Sequence, residues 1–315
     1  MKAAAIEEFG GPEVIRLRTL PVPEVGPKEV LIEIGSAGVG VWDADVRNGS
    51  WRPYGRPKFP LVLGTDGAGV VLAKGRQVRN FQIGDRVWAY HCANPKGGFY
   101  AEYIAVDADH VGQVPTGLAP HEAGAGATTG LTAQQGVDDH LKVRAEETVL
   151  IFGASGAVGT LAIQFAKRRG ARVIATASSR TGARLVKELG AVEAIDARKP
   201  DALERLESIA PGGLDAVLAL AGGEDLARLL DSVRSGGRVA HPNGVEPKPK
   251  RRQKYRVIAY DAEVGRREFS RLNRAAEEAH LRIPVASVYR LSQAVRAHER
   301  LERGRVLGRI ALRTF

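Results

Sequence analysis

The chain contains very little sulfur. Its 315 residues include one cysteine, Cys92, and one methionine. A single cysteine excludes an internal disulfide and any zinc site built from several thiolates. No apolar run approaches the roughly 20 residues that a membrane span needs, and the acidic residues near the N-terminus are unlike those of a secretory signal. We therefore expect a cytoplasmic protein with no membrane partner.

Aromatic residues are also sparse, at 6% of the chain, whereas hydrophobic residues make up 44% and charged residues 26%. This balance is typical of a globular protein. The formal net charge is +10, and a positive excess attracts polyanions such as nucleic acids and phosphate-bearing cofactors. Because the charge is spread along the chain, we favour an ordinary solvated surface with one phosphate site.

A glycine turn is the most informative motif. An apolar run at 148–152 leads into three glycines, a helical pattern follows, and a second apolar run lies at 172–176. In such a strand–turn–helix unit the glycines permit a tight turn, close approach to phosphates and close helix packing, and the free N–H groups at the helix start attract the anion. We expect a dinucleotide pyrophosphate to bind at Gly153, Ala154, Ser155, Gly156, Ala157, Val158 and Gly159.

The surrounding chain is organised in three stretches. Residues 1–118 contain short β-rich runs between glycine, proline and aspartate clusters, whereas residues 119–280 alternate strands with helices, and one more helix and strand follow in 281–315. Alternation predicts a parallel sheet. The fold class is thus α/β, with a Rossmann doubly wound parallel sheet at 119–280 and a second, β-rich domain built from 1–118 and 281–315. We expect parallel strands at 148–152, 172–176, 192–195, 215–220 and 237–241, with a possible sixth at 255–260.

The end of the second strand in this fold distinguishes the two nicotinamide dinucleotides. An acidic residue there binds the ribose 2′-OH of NAD, whereas a basic residue accommodates the 2′-phosphate of NADP. The strand at 172–176 is followed by Ser178 and Arg180, with no acid between them. Both side chains can donate hydrogen bonds to a phosphate, so we expect the cofactor to be NADPH.

Several motifs together resemble one family. The chain is similar to the zinc-free, NADPH:quinone oxidoreductase-like branch of the medium-chain dehydrogenase/reductase superfamily. The resemblance implies that the β-rich domain is a GroES-like catalytic domain, that a cleft separates it from the Rossmann domain, and that the protein is a homodimer built largely through the Rossmann domains. It rests on the segments 21–34, 63–71, 81–87, 98–103, 129–133, 153–159 and 308–312.

The resemblance also implies further cofactor contacts. Thr132 matches a family threonine near the nicotinamide. Ala221 and Gly222 follow the fourth parallel strand, and Pro242 and Asn243 follow the fifth, where the family's chain passes the cofactor. For these last four residues an ordinary loop role is the alternative.

The sequence lacks the ligands of a catalytic zinc. The zinc-dependent branch carries His-Glu where this chain has Thr65 and Asp66, and a cysteine where it has Gly40. A catalytic zinc needs three nitrogen, sulfur or carboxylate ligands. We therefore expect no metal and no metal-assisted alcohol oxidation.

The substrate pocket departs from the family pattern, because Gly40 and Val41 replace the usual Asn-Pro. Asp43 matches the family, although capping a short helix is an equal alternative for it. For the aromatic candidates, simple packing is the alternative. No catalytic residue is assigned, and the pocket candidates are Asp43, Asp45, Trp51, Tyr54 and Tyr90.

These observations predict an NADPH-dependent reductase that transfers a hydride to quinones or α,β-unsaturated carbonyls without a metal. Two alternatives remain open. One is an enoyl-thioester reductase, which uses the same hydride chemistry. The other is a non-catalytic nucleic-acid-binding protein that retains the cofactor fold, suggested by the basic run at 248–256. For that run we favour a solvated loop, and hence no nucleic-acid partner.

Overall fold

The computed structural model describes residues 1–53, 55 and 58–314. Within the chain there are two compact units. The first unit comprises Met1–Thr128, Val264–Asn273 and Ile283–Phe315, and the second comprises Thr129–Glu263 and Arg274–Arg282.

The elements follow one another in three groups. The first group consists of β1 (Lys2–Ile6), β2 (Arg16–Thr19), β3 (Glu29–Val39), α1 (Val41–Asn48), β4 (Leu61–Val62), β5 (Asp66–Lys74), β6 (Arg86–Tyr90), β7 (Tyr103–Asp107), β8 (Val111–Gln113) and α2 (Pro120–Gly124). The second consists of α3 (Ala127–Gln135), β9 (Thr148–Phe152), α4 (Ala157–Arg168), β10 (Arg172–Thr176), α5 (Arg180–Glu188), β11 (Glu193–Ile195), α6 (Ala202–Ile209), β12 (Leu214–Ala219), α7 (Glu224–Leu229), β13 (Val233–Pro242), β14 (Tyr255–Tyr260) and α8 (Arg266–Glu278). The third consists of β15 (Val285–Arg290), α9 (Ala294–Glu302) and β16 (Arg309–Arg313).

The first unit is a β-rich body organised around β3. This strand pairs antiparallel with β5, β7 and β16. Buried and half-buried positions alternate from 29 to 36, so one face of the strand packs into the core. Because β16 pairs with β3, the C-terminal strand belongs to the same sheet as the strands of the N-terminal half of the chain.

The second unit contains a six-stranded parallel sheet with the order β11-β10-β9-β12-β13-β14. Apart from the half-buried first residue of β9, that strand is buried throughout, because helices cover both faces of such a sheet. The strand order reverses between β9 and β12, which is the doubly wound Rossmann topology. The predicted fold class, a Rossmann sheet with a GroES-like β-rich domain, is confirmed.

The unit boundaries fall later than the predicted break at 118. Helix α2 packs on β3 and β5, and Gly124 lies so close to Ser36 that a Cβ there would meet its backbone oxygen at 2.5 Å. The start of α8 also joins the first unit, because Phe269 packs against Trp88 and Gly112. The sequence pattern contains no marker of these tertiary contacts.

Candidate dinucleotide site and buried polar network

The glycine turn joins β9 to α4 in the second unit. Gly153 has a φ of +80°, a left-handed conformation that glycine adopts without strain. A Cβ on Gly159 would lie 2.6 Å from the Gly153 carbonyl oxygen and from the Ala154 Cα. The absence of a side chain at Gly159 therefore allows α4 to pack tightly on the turn.

The start of α4 is open to an anion. Its N-cap is Gly156, and no side chain caps the helix within the described part of the chain. Residues 155–158 are half-buried rather than covered. The first N–H groups of this 12-residue helix therefore lack a side-chain cap, and the helix dipole favours negative charge at this end. This geometry fits a diphosphate.

The end of β12 lies beside the turn. Leu220 donates its backbone N–H to the Phe152 carbonyl at 3.0 Å, and a Cβ on Gly153 would meet Leu220 at 3.3 Å and the Ala221 nitrogen at 3.7 Å. Ala221 and Gly222 thus lie at the point where the strand order reverses, the usual ligand-binding position in open parallel sheets.

Two further elements bring cofactor candidates to the same edge of the sheet. Pro242 ends β13, and Asn243 follows it, donating its side-chain amide to Asp261 at 2.8 Å. Tyr260, the last residue of β14, donates its hydroxyl to the Thr132 carbonyl at 2.9 Å. Because parallel strands end at a common edge, residues separated by 111 positions in sequence, from Thr132 to Asn243, converge there.

A depression of about 470 Å³ lies beyond the end of β10. It contains the two residues that the sequence suggests for a 2′-phosphate, Ser178 and Arg180. The remaining lining residues are Ala177, Ser179, Ala183, Arg184, Lys187, Ala194, Asp196 and Arg205.

The cations of this depression differ in their partners. Arg184 pairs with Glu188 at 2.7 Å, and Lys187 and Arg205 both approach Glu193, at 3.2 and 3.6 Å. Arg180 has no acidic partner among the described residues. It is the first residue of α5, and Ser179 caps that helix by accepting from the Gly182 N–H. Arg180 is therefore a cation held at a fixed backbone position and available to a phosphate.

The substrate-pocket candidates lie in the first unit, apart from Tyr54, which is outside the described residues. Asp45 lies 3.3 Å from the Ser50 hydroxyl, and its carbonyl accepts the Trp51 N–H. Trp51 is 38% exposed. Tyr90 ends β6, opposite Asp66 in the antiparallel register. The structure brings Asp45 and Trp51 together.

Asp43 differs from these residues because it is buried, with 1% of its surface exposed. Its Oδ2 accepts the Gly40 N–H at 2.8 Å, so it caps α1 from within the first turn. The Tyr100 hydroxyl donates to the same oxygen at 3.4 Å. Burial, and next the nearby Asp66, raise the pKa of Asp43 to about 7, against the opposing effects of Arg309 and of hydrogen bonds from Gly40 and Thr65.

A chain of buried polar groups continues from Asp43. The Tyr100 hydroxyl lies 3.3 Å from His298 Nε2, and His298 Nδ1 lies 2.9 Å from Arg47 Nη1. Arginine only donates, so Nδ1 accepts and Nε2 carries the hydrogen. Burial, and next Arg47, lower the pKa of His298 to about 3. Arg47 also pairs with Glu302, whose side chain is 44% exposed, so the chain of contacts ends at the surface.

A second group of buried residues adjoins this series of polar contacts. Arg309, 2% exposed, donates to Asp66 at 2.7 Å and to the Ala125 carbonyl at 3.0 Å, and its guanidinium stacks over Trp42. The Trp42 indole donates to Thr65 at 2.6 Å. We define Asp43, Thr65, Asp66, Tyr100, His298, Arg47 and Arg309 as the buried polar network.

These residues do not form a metal site. Among the described residues, no three His, Cys, Asp or Glu side chains are close enough to share a metal ion. Asp66 is bound by Arg309, and Gly40 offers no ligand atom. The donor set therefore does not fit a catalytic zinc.

The basic run at 248–256 is partly neutralised. Arg252 pairs with Asp231, Lys254 donates to the Asp231 carbonyl, and Lys248 lies 3.8 Å from Glu246. Within the residues that are described, none of the helices has the length and apolar character that crossing a bilayer requires.

Comparison with known proteins identifies the family. Residues 26–116 match the family model described as alcohol dehydrogenase GroES-like domain, and residues 157–250 match the one described as zinc-binding dehydrogenase. A quinone oxidoreductase of Sus scrofa is 31% identical over 313 residues, covering 95% of this chain and 93% of that protein. The chain belongs to the medium-chain dehydrogenase/reductase superfamily. It is an oxidoreductase of that superfamily with quinone oxidoreductase relatives, as the sequence motifs predict.

Solved structures of the superfamily share the whole fold. An NAD-dependent alcohol dehydrogenase is 33% identical with a TM-score of 0.92, and each chain is covered completely. The Escherichia coli quinone oxidoreductase complexed with NADPH is 26% identical with a TM-score of 0.86, again with complete coverage of both chains. Because one neighbour is NAD-dependent and the other carries NADPH, similarity does not decide the nucleotide.

Sequence reasoning missed most of the buried polar network. Tyr100, His298, Arg47 and Arg309 are distant in sequence and form no local motif. One signal was present: Arg309 stands next to the apolar run Ile310–Leu312, and an arginine buried in such a strand requires an acidic or carbonyl partner.

Proposed function

We propose that this protein is an NADPH-dependent reductase that transfers a hydride to quinones or α,β-unsaturated carbonyls. The observation that carries the proposal is the convergence of the glycine turn and the Arg180 depression at one edge of the parallel sheet. The turn presents helix N–H groups to a diphosphate, and the depression presents a cation to a further phosphate. NADP has both groups, whereas NAD has only the first.

The chain's own residues hold the cofactor. In this proposal the turn at 153–159 binds the pyrophosphate, and Ser178 and Arg180 bind the 2′-phosphate. The nicotinamide end is bounded by Thr132, Ala221, Gly222, Pro242 and Asn243. When bound, the reduced nicotinamide supplies the hydride, and the protein supplies position and electrostatics.

The acceptor class follows from the polar groups of the first unit. Asp66 is already paired with Arg309, and Gly40 offers no ligand atom. The proposed reaction therefore uses no Lewis acid. Quinones and enones suit such a site because their own conjugation stabilises the charge that hydride addition creates. We place the acceptor against Asp45, Trp51, Tyr54 and Tyr90, with Asp43 behind the first turn of α1. Trp51, partly exposed, offers a face for a flat ring.

We also propose a homodimer formed through the second unit. β14 is the terminal strand of the sheet order, and Val257 and Ile258 within it are half-buried. An edge strand of this kind can pair with a second copy. Sedimentation of the wild type should give the mass of a dimer, and Ile258→Lys should reduce it to the mass of a monomer. A monomeric wild type would contradict the proposed dimer.

The decisive assay follows loss of the reduced nicotinamide absorbance with a panel of quinones, enones and enoyl thioesters. We expect NADPH-dependent turnover of quinones or simple enones that persists after dialysis against a metal chelator. Turnover of thioesters alone would indicate the enoyl-reductase alternative. Turnover of none of them would contradict the proposed function, and a steeply salt-dependent affinity for single-stranded RNA would then favour the binding-protein alternative.

A further inference from the structure

Two buried carboxyl groups in the first unit lie near one buried cation, and only one of them pairs with it. Asp43, Asp66 and Arg309 are 1%, 0% and 2% exposed. Arg309 pairs directly with Asp66 Oδ1 at 2.7 Å, and the Thr128 N–H donates to Asp66 Oδ2 at 3.1 Å. The charge of Arg309 is therefore balanced by Asp66.

Asp43 has only neutral donors. Its Oδ2 accepts from the Gly40 N–H and the Tyr100 hydroxyl, whereas its Oδ1 is buried without a hydrogen-bond partner among the described residues. An isolated carboxylate is costly to bury, and such a group takes up a proton instead. The charge count thus favours a protonated Asp43.

No other charged group in contact with the network reverses this count. Arg47 is bonded to Glu302, to the Gly10 carbonyl and to His298. His298 is neutral, since burial and Arg47 lower its pKa to about 3. Burial likewise raises the pKa of the Tyr100 hydroxyl, which keeps it a hydrogen-bond donor.

The network approaches the surface at the first turn of α1. The Trp42 indole donates to the Thr65 hydroxyl at 2.6 Å, so Thr65 retains its own hydrogen for another partner. The Thr65 hydroxyl also lies near the Asp43 carboxyl and opposes the rise in its pKa. Trp42 is half-buried and Val41 is 61% exposed. The Thr65 hydroxyl, on a residue that is 2% exposed, therefore lies beside both the acid and Trp42.

We propose that Asp43 is the proton reservoir of the reductase and that it acts through the Thr65 hydroxyl. The inference rests on the proposed function. Hydride addition to the β-carbon of an enone forms a C–H bond and moves the π electrons onto the α-carbon and oxygen. The Thr65 hydroxyl then gives its proton to this enolate and receives the Asp43 proton as the Asp43 O–H bond breaks. Solvent reprotonates the carboxylate after product release.

The first experiment examines the protein without cofactor or acceptor. Infrared difference spectroscopy between low and high pH should show the band of a protonated carboxyl group at pH 6 that disappears as the pH rises through about 7. Asp43→Asn should lack this band. Glu299→Gln, which removes an exposed carboxyl group beside His298, is the matched control and should retain it.

The second experiment measures turnover against pH. For wild type, kcat with an enone should fall as the pH rises through about 7, because the acid form is required. Asp43→Asn should lower kcat by about 10²-fold or more, remove this pH dependence and leave the NADPH dissociation constant unchanged. Asp66→Asn frees Arg309 for Asp43 and should move the fall in kcat to lower pH.

The outcomes separate the inference from the proposed function. If wild type turns over enones and Asp43→Asn keeps the same kcat and pH profile, or if the infrared band survives in Asp43→Asn, the inference is wrong and the proposed function stands. If wild type reduces no acceptor, both fail. Should Asp43→Asn not fold, the Asp66→Asn shift in the infrared band decides, and an unshifted band overturns the inference.

Discussion

The glycine turn of the second unit and the buried polar network of the first unit are built in opposite ways. The turn uses seven consecutive residues and depends on backbone N–H groups and missing side chains. The network brings into direct contact side chains up to 251 residues apart, Arg47 and His298, and depends on burial. The turn can therefore be recognised from a short sequence motif, and it is suited to bind an anion from solvent. The network can be recognised only in the folded structure, and it holds charged groups inside the protein.

The turn and the network also differ in what controls their stability. The turn exposes donors that a bound phosphate satisfies, so ligand binding should stabilise the second unit. The network already contains its partners except at Asp43 Oδ1, so protons rather than ligands should control its stability. The two sites can accordingly be perturbed independently.

The largest effect should come from placing a negative charge in the turn. A Cβ on Gly156 would meet only the Gly153 oxygen at 3.4 Å, so Gly156→Asp should fold. We expect it to weaken NADPH by about 10²-fold or more because like charges in contact cost several kcal/mol. Titration calorimetry measures the change, and Gly156→Asn, similar in size but neutral, is the control. Equal losses in both variants would mean that volume rather than phosphate charge matters.

The network is tested next through the pH dependence of folding. With a pKa of about 7 in the folded state, Asp43 is protonated there between about pH 4 and 7, while in the unfolded chain it is ionised. The contribution of Asp43 to stability is thus lost as the pH rises through this range, at roughly 1.4 kcal/mol per pH unit.

Asp43→Asn should gain about 2–3 kcal/mol relative to wild type between pH 5 and 8. Urea unfolding at several pH values measures this difference. Parallel curves for the two proteins would show that Asp43 does not titrate near neutral pH.

The acid side of the network should behave in the opposite sense. The folded-state pKa of His298 is about 3. Below about pH 6.5, therefore, His298 is protonated in the unfolded chain but stays neutral in the folded protein. Stability should fall by about 2 kcal/mol from this residue between pH 6.5 and 5.

His298→Gln keeps an acceptor for Arg47 and a donor for Tyr100, and should flatten this part of the urea-unfolding profile. His91, whose pKa burial and His110 lower to about 4, contributes a slope in the same direction, but the opposite slope of Asp43 offsets it, so the profile of the variant should be nearly level between about pH 5 and 6.5. A variant profile as steep as that of wild type would contradict a neutral, buried His298.

The smallest effect concerns the nucleotide depression, where two arginines provide a matched pair. Arg180→Gln should weaken NADPH by about 10-fold and leave NADH nearly unchanged, because the proposed partner of this residue is the 2′-phosphate, which NADH lacks. Arg184, already paired with Glu188, should change NADPH affinity little when replaced by glutamine. Fluorescence titration with both nucleotides measures the ratio of the NADPH and NADH dissociation constants. Equal effects of the two substitutions would contradict a specific role of Arg180 in the preference for NADPH.

The sequence predicted the elements whose pattern is local. The parallel strands were placed within two residues of their observed bounds except at the start of β13, which begins four residues earlier, because buried apolar runs and flanking glycines define them. The two β-strands that bracket the turn were placed without error for the same reason. The short α6 has no distinctive signal in the sequence, since a helix of eight residues in a charged stretch shows little pattern.

The buried polar network could not be predicted to the same degree. The resemblance pointed to Asp43, but which charged residues lie near Asp43 and Asp66 depends on β16 returning to β3 and on the contact of Arg47 in α1 with His298 in α9. The partnership of Arg309 with Asp66 is a consequence of that antiparallel pairing. Such contacts are properties of the tertiary fold and have no spacing rule in the sequence.

The most direct test of the account is a crystal structure with bound NADPH. We expect the diphosphate at the N–H groups of residues 157–159 and the 2′-phosphate on Ser178 and Arg180. An empty turn in crystals grown with saturating NADPH, or a nucleotide bound elsewhere, would contradict the account.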